Sequence, residues 1–110
     1  MTENQYFNQI KEVIDSKKIA IFMKGSPDFP QCGFSHQAIQ ALVASGVSVE
    51  ELAFFDVLSD ENIRSAVKEF SNWPTIPQVY VNGQFIGGCD IIMEMHQSGE
   101  LQKLIQSQQN

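Results

Sequence analysis

Scarcity says the most about this chain. Its 110 residues include two cysteines, one tryptophan and four prolines, and seven basic residues stand against thirteen acidic ones. The resulting net charge of −6 leaves no cluster of Lys and Arg to neutralise phosphates, which excludes a nucleic-acid binder. No apolar run approaches the length needed to span a bilayer. The opening Met1-Thr2-Glu3-Asn4-Gln5-Tyr6 has neither an apolar signal core nor the arginines of a transit peptide. With so few cysteines and no export signal, reduced thiols in the cytoplasm are expected rather than a disulfide framework. A mature organellar protein without its presequence would read the same way.

What is present is ordinary for a soluble domain: 43% apolar and 18% charged residues. The length suits a single domain spanning 1–110 with one modest core. Thr2 and Gln5 fit a capping box, and Phe7, Ile10, Val13 and Ile14 recur at helical spacing up to the lysines at 17 and 18. Ile19–Met23 is a continuous apolar run, predicting a strand buried on both faces. After a Gly- and Pro-rich loop, Phe34, Ala38, Ala41 and Leu42 predict a helix over Gly33–Ser45, stopped by Gly46.

Ala53–Val57 is a second strand candidate, followed by a helix that Ser59 or Asp60 would cap. Pro74 and Pro77 end that helix. Asn82-Gly83, between Gln78–Val81 and Gln84–Gly87, is a strong hairpin signal. Asp90 then reads as the cap of a further helix, with His96 on its outer face, and a last amphipathic stretch carries Leu101, Leu104 and Ile105. A strand–helix–strand crossover followed by a hairpin implies a small α/β sandwich with a mixed sheet. Cys32 then falls at the carboxyl end of the first strand and the amino end of a helix, where open α/β sheets bind ligands.

Cys32-Gly33-Phe34-Ser35 is a C-x-x-C redox motif whose second cysteine is a serine. A lone thiol cannot close a disulfide within the motif; it can form a mixed disulfide, attack an external group, or ligate metal. The helix terminus and nearby Lys24 favour its thiolate. The competing reading is a buried, inert cysteine. His36, four residues on, shares the helical face of Cys32 but reads as an exposed polar position.

Lys24-Gly25-Ser26-Pro27 through Cys32-Gly33-Phe34-Ser35, then Trp73-Pro74-Thr75-Ile76-Pro77, then Gly87-Gly88-Cys89-Asp90 closely resemble the monothiol glutaredoxins of the CGFS class, in order and along almost the whole chain. The resemblance implies a thioredoxin fold, with a four-stranded mixed sheet flanked by about five helices. It also implies a cis Ile76–Pro77 bond facing the thiol and a site for glutathione. In that site Lys24 and Arg64 would bind the glycine carboxylate. The Ile76 backbone would pair with the cysteinyl unit, and Cys89 and Asp90 would meet the γ-glutamyl end. Cys89 is expected to serve mainly through its backbone, with a disulfide to Cys32 left open.

The resemblance further implies a [2Fe–2S] cluster bridged between two subunits, with Cys32 from each chain and two glutathione sulfurs as the four ligands. Two exchangeable ligands suit a carrier that delivers to apo iron–sulfur proteins. The alternative is a glutathione-dependent monothiol oxidoreductase; the resemblance implies that members with the longer loop, here Gly25–Gln31, are weak in that activity. A BolA-like partner sharing the cluster is a third reading.

Overall fold

The computed structural model describes residues 3–107, with side-chain surroundings from Gln5 to Gln106. Helix α1 spans Glu3–Ser16, strand β1 Ile19–Met23, helix α2 Gly33–Ala44, strand β2 Leu52–Asp56 and helix α3 Glu61–Ser71. The hairpin β3 Gln78–Val81 and β4 Gln84–Gly87 follows, then helices α4 Cys89–Ser98 and α5 Glu100–Ser107. The Thr2 capping box lies outside the described residues.

The sheet order is β2-β1-β3-β4. β1 pairs parallel with β2, from Ile19 opposite Leu52 to Met23 opposite Asp56, and antiparallel with β3, from Ile19 opposite Val81 to Phe22 opposite Gln78. All five β1 side chains are buried, as their unbroken apolar run requires of a strand with neighbours on both sides. Each of the larger ones, Ile19, Ile21, Phe22 and Met23, contributes about 1.5–3 kcal/mol.

Alternation along β1 divides the core in two. Ile19, Ile21 and Met23 pack with Leu42, Val79, Ile92 and Leu101 beneath α2, α4 and α5. Ala20 and Phe22 pack with Ile10, Ile14, Ile63, Val67 and Tyr80 beneath α1 and α3. The hairpin turn has positive φ at both Asn82 and Gly83, as the Asn-Gly pair predicts.

Three details differ from the sequence reading. Gly88, not Asp90, is the N-cap of α4, and Asp90 stands in its first turn, where a carboxylate still meets the positive end of the helix. His96 is not on an outer face: α4 packs against α2, and the half-buried His96 has Nδ1 3.0 Å from Ser45 Oγ. A 3-10 turn over Val49–Glu51 precedes β2, closed by a reciprocal Ser48–Glu51 capping box. Asp60, the second of the two candidates, caps α3 by accepting from Asn62 N at 2.9 Å and Ile63 N at 3.3 Å.

Candidate functional site

β1 delivers the chain into the loop that ends at Cys32. Gly25 has φ +89°, and a side chain there would collide with the Phe29 carbonyl, so the loop folds tightly back on itself. Gly25 bridges to Pro30, Ser26 and Phe29 exchange backbone hydrogen bonds, and Gln31 N donates to Lys24 O at 2.9 Å. One oxygen of Asp56, at the end of β2, accepts from both Gly25 N and Leu58 N at 2.9 Å. The thiol loop is thereby tied to the loop leading into α3.

Cys32 is the N-cap residue of α2, with extended backbone (φ −151°, ψ 137°) and a partly exposed side chain. Its thiol is held below the ordinary thiol range. The Ser35 N–H is the largest cause; desolvation opposes it, and the Phe34 N–H, the Lys24 charge and the Ser35 hydroxyl assist. Placing the thiol at the helix start therefore does what the sequence reading expects, and the inert-cysteine reading falls away.

In the sequence Ser35 stands only as a lost cysteine, yet it takes a direct part. It is fully buried, and its Oγ accepts from Lys24 N at 3.1 Å. With an acceptor position so used, the hydroxyl proton is free to point at sulfur. No pattern in the sequence announces this, since the contact depends on the tight loop returning Lys24 to the helix.

Beside the thiol lies a cleft of about 170 Å³ lined by Phe34, Trp73, Thr75, Ile76, Pro77, Gly88, Cys89, Asp90 and Ile91. Three of the sequence-predicted residues, Ile76, Cys89 and Asp90, meet there. The Ile76–Pro77 bond is cis. β3 begins only at Gln78, so the Ile76 peptide groups stand outside the sheet ladder. Gly88 offers α4 no side-chain cap, so the first N–H groups of that helix are not closed off by a side chain as those of α3 are.

Lys24 and Arg64, both half-buried, are not among the residues lining the cleft. Lys24 stands close enough for its charge to act on the Cys32 thiol. Arg64 sits on the first turns of α3, its N–H bonded to Asp60 O at 3.0 Å. His36 is exposed, as expected.

Cys89 is the opposite of Cys32. It is buried, its Sγ lies 3.4 Å from Gln37 Oε1 and 3.8 Å from Met93 Sδ, and its thiol is pushed up by burial, then by the charges of Asp90 and Cys32. Both cysteines are free thiols here. Among the described residues, no three His, Cys, Asp or Glu side chains converge to hold a metal ion. Among those residues, too, no helix is long and apolar enough to cross a membrane.

A thiol at a helix start and a cis proline, carried on a four-stranded mixed sheet, define a protein of the thioredoxin fold. The glutaredoxin family pattern matches residues 19–86, and the chain belongs to that family; its single-thiol motif places it among the monothiol members. It is 54% identical over 97 residues to "Monothiol glutaredoxin-5, mitochondrial" of Lachancea kluyveri, covering 88% of this chain and 68% of that one. Among solved structures, reduced poplar apo GrxS14 superposes with a TM-score of 0.79 at 42% identity, covering 92% of this chain and 90% of the other. A buckwheat glutaredoxin solved as a glutathione complex shares the fold, with a TM-score of 0.81 at 20% identity, covering 96% of this chain and 92% of that one.

Proposed function

We propose that two copies of this chain carry a [2Fe–2S] cluster between them, each giving Cys32 and each holding one glutathione whose sulfur completes the four ligands, and that the cluster is passed to apo iron–sulfur proteins. The supporting observation is the single activated thiol: Cys32 is half-exposed with its thiol held low, while Cys89 is buried with its thiol pushed up. One chain therefore supplies one competent sulfur, and a four-thiolate cluster must recruit the rest.

The residues present fit glutathione. Its γ-glutamyl carboxylate suits the uncapped N–H groups at Cys89 and Asp90, and the Asp90 side chain suits its amine. Its cysteinyl unit suits the free-standing Ile76 peptide groups in the manner of strand addition. Lys24 and Arg64 supply positive charge for the glycine carboxylate, Arg64 with a planar fork. A BolA-like protein replacing one subunit belongs to the same reading, as does residence in the cytoplasm.

Purification without oxygen tests this. Reconstitution with iron and sulfide should give a visible charge-transfer spectrum, a dimer on gel filtration and one glutathione per chain. Cys32→Ser should remove all three while leaving the fold intact. A coloured Cys32→Ser protein, or an equal cluster yield without glutathione, would remove the ligand set from the reading.

The lowered thiol also supports a second reading, a monothiol oxidoreductase. Cys32 thiolate attacks the glutathione sulfur of a mixed disulfide and expels the substrate protein's thiolate. A second glutathione thiolate then attacks the Cys32–glutathione disulfide, releasing oxidised glutathione and regenerating Cys32. Turnover of a glutathionylated peptide by the cluster-free protein separates this activity from carriage.

A further inference from the structure

Behind the cleft wall lies a polar cluster that neither reading uses. Gln78 is fully buried. Its side-chain amide donates to Trp73 O at 3.1 Å and to Thr75 O at 3.3 Å, and its carbonyl oxygen accepts from the Tyr80 hydroxyl at 3.0 Å. Gln78 and Tyr80 stand two apart on β3 and so share a face of the sheet. If burial alone mattered, an apolar residue would serve better, because a buried amide must find partners for each of its groups.

The partners it finds are the backbone of the cleft wall. The stretch from Trp73 to Pro77 belongs to no helix or strand, and its two prolines donate no N–H. Trp73 N is held from the other side by Ser71 Oγ and Lys68 O, both at 3.1 Å. The indole packs on Phe85 with ring centroids 5.7 Å apart, and its buried Nε1 has no hydrogen-bond partner among the described residues. The ring is therefore placed by its backbone and its packing, not by a polar anchor of its own.

We propose that Gln78 is a positioning residue for the cleft: its two donated hydrogen bonds set where Trp73 and the adjoining Ile76 stand, and thereby fit the groove to its tripeptide. That the groove's occupant is this tripeptide rests on the glutathione reading above.

Gln78→Met keeps the length of the side chain but removes both donors. Tyr80→Phe removes only the hydroxyl and keeps them. Glutathione affinity by calorimetry should fall about tenfold in Gln78→Met, and stay within about twofold in Tyr80→Phe although both variants lose thermal stability. Emission from Trp73, the chain's one tryptophan, should shift in ligand-free Gln78→Met and not in Tyr80→Phe.

Parental affinity and emission in Gln78→Met would overturn the proposal. So would equal affinity losses in the two variants, which would mark a stability effect. Should Gln78→Met not fold, the unaltered protein decides: the Gln78 side-chain amide protons should resist solvent exchange and shift in the NMR spectrum as glutathione saturates, and saturation without a shift overturns the proposal. An unaltered protein that binds no glutathione sinks the glutathione reading instead, while Trp73 emission in Gln78→Met still decides whether Gln78 positions the cleft wall.

Discussion

Alkali should separate this protein from its Tyr80→Phe variant, and in a direction that reverses with pH. Tyr80 is 2% exposed, and burial pushes its phenol up to about 12 against a weaker opposing pull from the Ser71 hydroxyl. In the unfolded chain a tyrosine titrates near about 10. Below that value both states are protonated and the full stability is present. Above it the unfolded chain gives up a proton that the folded chain keeps, so rising pH draws the equilibrium toward unfolding until the folded phenol also ionises. Two units at about 1.4 kcal/mol each bound the loss at about 2.7 kcal/mol.

Phenylalanine at this position escapes that loss but leaves Gln78 Oε1 without its donor, which costs about 1–1.5 kcal/mol at neutral pH. The variant should therefore be the less stable protein at pH 8, equal near about pH 11, and the more stable one near about pH 12. Urea unfolding followed by far-ultraviolet circular dichroism across that range reads the crossing directly. Curves that stay parallel from pH 8 to pH 12 would refute the assignment of a buried, alkaline-shifted phenol.

Ser35→Ala removes a donor to the Cys32 sulfur, so the pH profile of iodoacetamide alkylation should move to higher pH; an unmoved profile would exclude the hydroxyl from thiolate stabilisation. At Gly88 a Cβ would come within 3.1 Å of Trp73 Nε1 and 3.2 Å of Pro77 O, so Gly88→Ala should cost about 1–3 kcal/mol in urea unfolding and weaken glutathione binding by calorimetry. Asp60→Ala uncaps α3 and should cost about 1 kcal/mol in the same unfolding assay, with cluster yield unaltered by the loss of the cap.

The elements that sequence exposes are those where local chemistry and tertiary need agree. Ile19–Met23 is apolar throughout because β1 has a strand on either side, and Asn82-Gly83 supplies the two positive φ angles that the hairpin demands. The cis proline and the cleft residues Ile76, Cys89 and Asp90 came from family likeness, not periodicity, and the structure gathers those residues at one cleft. What stayed hidden depends on contacts between distant segments. The Gln78–Tyr80 pair looks like any strand dipeptide pattern until the loop at Trp73 folds over it. His96 looked solvent-facing because its partner Ser45 is 51 residues away. The cap of α4 is hidden in the sequence because a glycine offers no side chain to signal it, and Asp90, two positions on, carries the usual capping chemistry.

Asp56 has a bearing beyond its own hydrogen bonds. Because a single carboxylate oxygen serves Gly25 N and Leu58 N together, the two connections on that side of the sheet are stitched at one point. Redesigning the approach to the sulfur by adding or deleting loop residues would tug on the segment that carries Arg64 as well. Grafting this loop onto another scaffold therefore requires transplanting the acidic knot along with it.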